Sequence, residues 1–403
     1  MNKCVFHLKI SLKQYLLYSS VFAIYTEAFF FNFIIDWRLL YLIIAVNYLL
    51  IASIKKITFN KYFVLLLFFF FLHGILCYTI IGIPYNYMIS QIMGIAVVAT
   101  YYYNFIPLYD KKDILNVYLK LSLWVAIIGY PMYFLNINLN DGRLQSIFKE
   151  PAHYVVVVIP ACYYYFKIKN YKAFVIILGT LILSNSSLGY VGCALMFIIP
   201  NLTLKRLKYL IALTPIIFAF FYYTYIEYPF FKLRVDDTYK SLNAVNTGKF
   251  EEYTNLSTYV LLGNMFIAKQ NITDHPLGSG IGSHHYMHTQ RYIKEMRVPE
   301  YIRRCGNAED NSFDACSLFT RIFSEFGFIG FTLVLIALYF ISKCFKSNDL
   351  FFAQGVFIYF LLKLFRDGHY FPSELYFFIW LFYYYMKDYY ADKKFHLTSN
   401  AKS

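Results

Sequence analysis

Charge is scarce in this chain of 403 residues: Asp, Glu, Lys and Arg make up 15% of it, against about 25% in an ordinary soluble domain. That shortage excludes an aqueous globule. The 59% of hydrophobic residues excludes a disordered chain, which needs low hydrophobicity. Acids are the scarcer sign, 23 against 37 Lys and Arg, which leaves a formal charge of +14. In a soluble protein such an excess points to nucleic acid or another polyanion, so here it has to be sorted by topology first. No internal repeat and no low-complexity tract stands out beyond 42 Tyr and 43 Phe, an enrichment that membrane-protein composition accounts for. The seven Cys form no framework, and only Cys305 and Cys316 fall where a disulfide is chemically permitted. Length alone suggests two or three domains, but the composition describes one integral membrane body.

What is present is a series of apolar runs. A helix needs roughly 20 apolar residues to cross the hydrocarbon core. Cutting the charge-poor runs at polar and Pro clusters gives about twelve spans: 15–35, 38–54, 62–83, 86–106, 114–135, 151–166, 173–185, 187–202, 209–226, 318–342, 350–365 and 373–386. The seventh and eighth meet at Ser184-Asn185-Ser186-Ser187 and are also readable as one long broken helix. The first run has no small-residue cleavage motif and reads as an uncleaved span. With the N-terminus in the cytoplasm, the segments on that side hold 21 Lys and Arg and five acids, while the outer segments hold 14 basic residues and 15 acids. Cytoplasmic loops are enriched in Lys and Arg, so both termini are expected inside, and the +14 is an orientation signal with no nucleic-acid partner behind it. The expected fold is an all-α polytopic membrane protein with a transmembrane bundle over 1–226, a large outer loop over 227–312, and C-terminal helices and tail over 313–403.

The outer loop runs for 86 residues. Structureless loops beyond ~15 residues are uncommon, so a small cap with its own helices is expected. Within 291–304, Arg291, Lys294, Arg297, Arg303 and Arg304 oppose only Glu295 and Glu300, a stretch able to lie on the membrane as a basic amphipathic helix or to face an anionic headgroup. The run His275-Pro276-Leu277-Gly278-Ser279-Gly280-Ile281-Gly282-Ser283-His284-His285 nearly spells a dinucleotide fingerprint, but it lacks the third Gly and a preceding βαβ unit. It reads as a tight turn bringing His284 or His285 against the membrane face. The His spacing matches no recognised metal-ligand set, so no metal and no cofactor is expected.

Three further polar clusters fall on the outer side: Asp141-Gly142-Arg143 through Lys149-Glu150-Pro151-Ala152-His153, Asn311-Ser312-Phe313-Asp314 running on to Arg321 and Glu325, and Arg366-Asp367-Gly368-His369. Ionisable residues inside spans are costly and mark functional sites, which singles out Arg321 and Glu325; at i, i+4 they are also placed simply to neutralise one another. Arginine suits a diphosphate because its fork donates two charge-assisted hydrogen bonds and keeps its proton. Arg143, Arg321 and Arg366 are therefore candidates to enclose such a group, the bland alternative being that each snorkels to lipid phosphates.

This layout, the 275–282 turn late in the large loop, the Arg321, Glu325, Gly327, Gly330 pattern at a span start, the Phe148 to His153 segment and the Ser184 to Gly189 break together resemble the Wzy-type O-antigen and capsular polysaccharide repeat-unit polymerases. The resemblance implies a membrane-embedded glycosyltransferase of the GT-C-like class, independent of metal and nucleotide sugar, in the bacterial inner membrane with its large loop in the periplasm. It would move a growing glycan from undecaprenyl diphosphate to the next lipid-linked repeat unit, with membrane lipids around it and a chain-length regulator protein as a further partner. The chemistry asks for cations at the departing diphosphate, for which Arg143, Arg321 and Arg366 stand, with Glu325 and His369 in support. It also asks for a base at the acceptor hydroxyl, for which Glu150, His153, His284 and His285 stand. The related O-antigen ligases carry a His where the register here gives Cys316 followed by Ser317. A lipid-linked oligosaccharide flippase, which would be expected to show repeat symmetry and midplane polar residues, is the alternative outside enzymes.

Overall fold

The computed structural model describes residues 11–400 apart from 34, 138–141, 203–210, 212, 213, 216, 217, 220, 221, 224, 228 and 348. Asp141, the basic segment 205–208 and much of the expected ninth span lie outside the described residues. The polar residues that interrupt the apolar runs are helix caps. Ser11 and Gln14 form a capping box, and the side chains of Asn60, Asp110, Asn170 and Ser317 each accept from backbone N–H groups of the helix that follows. The helices they open include Leu12–Phe22, Lys61–Ile81, Lys111–Phe134, Tyr171–Leu183 and Leu318–Ile341. Pro151 opens Pro151–Lys167, a place where its missing N–H costs nothing.

Four helices are long and apolar enough to cross a membrane: Lys61–Ile81, Asn86–Leu108, Lys111–Phe134 and Leu318–Lys346. Leu39–Ile54, Tyr171–Leu183, Ser187–Asn201 and Phe351–Phe365 are apolar but shorter. At a 1.5 Å rise, the 13 residues of Tyr171–Leu183 reach about 20 Å, less than the ~30 Å hydrocarbon thickness. The chain is broken between that helix and Ser187–Ile198, with Asn185 at φ 45°. Buried Ser184 donates to the Leu181 carbonyl, and Leu144 N–H to that of Leu183, so the freed carbonyls stay bonded. The first expected span ends early. Its helix stops at Phe22, and a two-stranded antiparallel ribbon, Phe30–Phe33 with Ile35–Arg38, takes the residues expected to complete it.

The two least enclosed long helices turn apolar side chains outward. Ile80 is 80% exposed, and Leu65, Phe68, Leu76, Phe328 and Tyr339 are also open. A water-soluble protein does not leave so continuous an apolar face uncovered. The interior is built from tyrosine: ten of the twelve largest fully buried side chains are Tyr, and several of them hydrogen-bond one helix to another. Tyr118 donates to the Val157 carbonyl at 2.8 Å, Tyr163 to Gln354 Oε1 at 2.7 Å and Tyr102 to the Ser20 carbonyl at 3.1 Å. Without water, interhelical hydrogen bonds and van der Waals packing hold helices together. The Tyr enrichment is therefore largely a set of interhelical ties.

Segments assigned to one side by charge also meet at one end of the bundle. Lys55 donates to the Asn104 carbonyl, Tyr109 to that of Lys13, and Lys111 pairs with Asp388. The 227–312 region carries helices of its own, Pro229–Ser241, Leu256–Asp274 and shorter turns. Its basic stretch is not one amphipathic helix. It breaks into Met287–Tyr292, Ile293–Glu295 and Glu300–Arg304, and three of its four arginines are partnered, Arg291 with Asp274, Arg297 with Glu252 and Arg304 with Glu300.

Leu256–Asp274 packs on Leu318–Ile341, and that helix is broken at Gly327 (φ 54°, ψ −138°). The 275–283 turn fills the break. Gly280 N–H donates to the Glu325 carbonyl at 2.8 Å, and Phe328 N–H to that of Pro276 at 3.1 Å. A Cβ on Gly327 would lie 2.0 Å from the Pro276 oxygen, and one on Gly278 2.4 Å from the Glu325 oxygen. Gly327→Ala and Gly278→Ala are each expected to cost several times the ~1 kcal/mol of a simple glycine-to-alanine strain. Gly82→Ala, at φ 82° with no atom within 4 Å, shows the strain alone. Thermal unfolding in detergent checks this: the first two variants should melt well below the third, and equal melting would contradict the wedge.

Candidate functional site

Two polar clusters adjoin beyond the break in Leu318–Ile341. In the first, Arg321 and Glu325 lie on one helix face, both buried. Arg321 Nε donates to Glu325 Oε1 at 3.1 Å, a terminal nitrogen donates to the Gly368 carbonyl at 3.0 Å, and the guanidinium lies 4.0 Å from the centre of the Tyr370 ring. The fork is thus taken up by protein groups, and Arg321 ties the helix to the 366–370 turn.

The second cluster surrounds a cavity of about 20 Å³ whose lining includes Glu27, His153, Asp367, His369 and Glu374, room for one water. His153 Nδ1 sits 2.6 Å from Glu27 Oε1. Lys363 Nζ lies 2.5 Å from Asp367 Oδ2 and 3.3 Å from Glu374 Oε1, and His369 Nε2 lies 3.9 Å from Asp314 Oδ2. The Asp314 carboxylate also accepts from the N–H groups of Cys316 and Gly368. Burial works against a charge on Asp367, but Lys363 first, then His153 and His369, hold its carboxyl below the ordinary range. Backbone strain concentrates here: Asn311, Ala315, Cys316 and Asp367 all have positive φ, a conformation kept only where the surroundings enforce it. Asp314, Asp367 and His369 offer ligand atoms within 4.8 Å of one another. The cation beside Asp367 is, however, the Lys363 ammonium.

The residues singled out from sequence divide accordingly. His153 and His369 reach the cavity, and Arg321 and Glu325 flank it. Glu150 is exposed at the head of Pro151–Lys167, close enough to act on His153. Arg366 is half-buried, its guanidinium has no hydrogen-bond or ion-pair partner among the described residues, and its charge acts on Cys316, a thiol that burial pushes up to about 11. Arg143 Nε donates to the Ser184 carbonyl at 3.4 Å, at the break after Tyr171–Leu183. His285 stacks on Phe313 with ring centres 3.7 Å apart, and its Nδ1 meets Ser312. His284 is fully buried, its Nδ1 against Ser324 Oγ at 2.9 Å and its Nε2 against Asn264 Oδ1 at 3.0 Å. Neither ring nitrogen is left to take a substrate proton, so His284 fastens the turn to its neighbours. Cys305 and Cys316 are both free thiols.

Glu27, Lys363, Asp367 and Glu374 were not singled out from sequence as site residues. The signal for Glu27 and Lys363 was charge inside apolar runs, where an isolated charge is costly, and Lys363 with Asp367 has i, i+4 spacing. Searches against protein-family models and curated proteins find no match for the chain.

Near the turn, burial and then the neighbouring His285 push His288 down to about 4. His284 is lowered well below its usual range by burial, His288, Arg321 and His285. Folding holds these imidazoles neutral, while the unfolded chain binds protons near pH 6.5. Stability is therefore lost as pH falls from about 6.5 toward 4. Unfolding measured in detergent across that window should show a shallower pH slope for His288→Asn than for the parent, and an unchanged slope would remove His288 from the account.

Proposed function

We propose that the chain polymerises undecaprenyl-diphosphate-linked oligosaccharide repeat units into O-antigen or capsular polysaccharide. In this reading it is an inner-membrane glycosyltransferase of about twelve spans, with both termini cytoplasmic and the 227–312 loop in the periplasm. The observation that carries the reading is the meeting of Glu27, His153, Asp367, His369 and Glu374 at one small cavity beside the turn that carries the half-buried Arg366. A transporter would instead be expected to place its polar residues at the midplane of a symmetric repeat.

The geometry suits transfer to an acceptor hydroxyl. His153 Nδ1 lies 2.6 Å from Glu27 Oε1 and both line the cavity, so the imidazolium holds in place a carboxylate able to act as the general base. The acceptor oxygen attacks the anomeric carbon, a glycosidic bond forms, and the bond from that carbon to the diphosphate oxygen breaks. The hydroxyl proton passes to the Glu27 carboxylate, and the negative charge left on the diphosphate is met by Arg366, with Arg143 a second candidate. Arg321 positions the turn behind them through Gly368, with Glu325 as its counter-ion. The substrates are the lipid-linked donor and acceptor, and a chain-length regulator would act from outside this chain.

General-base contributions run to roughly 10²–10⁴-fold. Glu27→Gln is accordingly expected to cut polymerisation at least ~100-fold at normal protein level, with His153→Asn losing less and Arg366→Lys shortening the glycan because the fork is gone. Gel analysis of the surface glycan reads all three. Deleting the gene should leave one repeat unit on the anchor and no ladder. A bare anchor with accumulated lipid-linked polymer would mean a ligase, and single units trapped on the cytoplasmic face would mean a flippase. A normal ladder in both His153→Asn and Glu27→Gln would remove the base assignment.

A further inference from the structure

At the end of the bundle opposite the polar cavity, the last turn of Leu318–Ile341 and the 3-10 segment Ser342–Lys346 meet the Ser373–Asn400 helix. Between them lies an open cavity of about 410 Å³ whose lining includes Phe340, Phe382, Met386 and Tyr390, with Lys343 and Lys346. That volume falls in the ~300–1,000 Å³ range of small-molecule sites. The floor is firm, because Cys344, Leu350, Ala353, Phe357 and Met386 form a packed apolar cluster there. The two lysines have no acidic partner among the described residues. Lys343 is held by rings, its Nζ 4.2 Å from the centre of Phe340 and 4.9 Å from that of Tyr339, whereas Lys346 is exposed. Nearby Asp388 is occupied by Lys111 at 2.6 Å. An apolar trough capped by two uncompensated ammonium groups is complementary to one kind of molecule in a membrane, a lipid with an acyl chain and an anionic phosphate.

We infer that this cavity is a binding site for one anionic glycerophospholipid, its phosphate between Lys343 and Lys346 and its acyl chain along Phe340, Phe382 and Met386. The site is separate from the polar cavity and independent of the proposed polymerase reading. Each juxtamembrane basic residue favours anionic lipid, so the pair should confer roughly tenfold or greater preference.

Native mass spectrometry of the detergent-solubilised full chain, titrated with phosphatidylglycerol and with phosphatidylcholine, tests this. The expected result is at least tenfold tighter retention of phosphatidylglycerol, lost in the Lys343→Gln, Lys346→Gln double variant and kept in Lys111→Gln, a lysine at the same end. These are half-buried or exposed positions whose exchange leaves the apolar floor intact, and the melting temperature of each variant without added lipid verifies folding. Equal retention of the two lipids overturns the inference, as does selectivity that survives the double variant. Displacement by inorganic phosphate at matched concentration overturns it too, because the apolar wall would then contribute nothing.

Discussion

The hydrogen bond from Gly280 N–H to the Glu325 carbonyl is the constraint on which the rest of this end of the bundle depends. A helix through an apolar medium normally keeps its carbonyls to itself, because an unbonded one costs several kcal/mol there. Leu318–Ile341 gives up that regularity at Gly327, and the 275–283 turn supplies replacement partners on both sides of the break. The wedge is anchored from a third direction by Lys61–Ile81, where His73 contacts the Leu277 carbonyl and Tyr78 donates to that of Ile281. With the break fixed, Arg321 is aimed at Gly368, and the 366–370 turn follows.

The same bookkeeping extends through the interior. A chain with so little charge has few residues able to specify which helix meets which, and lipid provides no hydrophobic preference of one helix for another. Tyrosine hydroxyls take on that task. The remaining charges are concentrated where they have partners: Lys363 between Asp367 and Glu374, Arg321 on Glu325, His153 on Glu27. Arg321–Glu325 and Lys363–Asp367 are buried and His153–Glu27 is half-buried, and removing Arg321 or Lys363 would leave buried carboxylates uncompensated.

Helix positions were readable because apolar runs and their polar caps are local features. Asn60, Asp110 and Ser317 punctuate the sequence and cap the helices where the runs begin. The ribbon at 30–38 was not readable, because Phe30 to Phe33 continues an apolar run and its pairing with Ile35–Arg38 leaves no signal in hydropathy. Of the residues gathered around the cavity, Arg321 and Glu325 were singled out by the cost of charge inside a span, and His153 and His369 by the polar clusters in which they fall. Glu27 was not singled out, since its partner is 126 residues away and neither hydropathy nor motif spacing reports such a pairing. His284 misled for the opposite reason: a histidine after a glycine turn resembles an exposed base, and only the three-dimensional positions of Asn264 and Ser324 reveal that its nitrogens are taken.

The pairing of Glu27 with His153, and the sharing of their cavity with Asp367 and Glu374, bears on how the protein is made. Synthesis proceeds from the N-terminus, so Glu27 enters the bilayer long before the residues that complete its surroundings. Until Pro151–Lys167 brings His153 into place, the nascent bundle carries the Glu27 carboxylate without the imidazole that meets it in the fold. A truncated or stalled chain would keep that defect permanently, which gives membrane proteases a chemical difference by which to tell an unfinished molecule from a finished one.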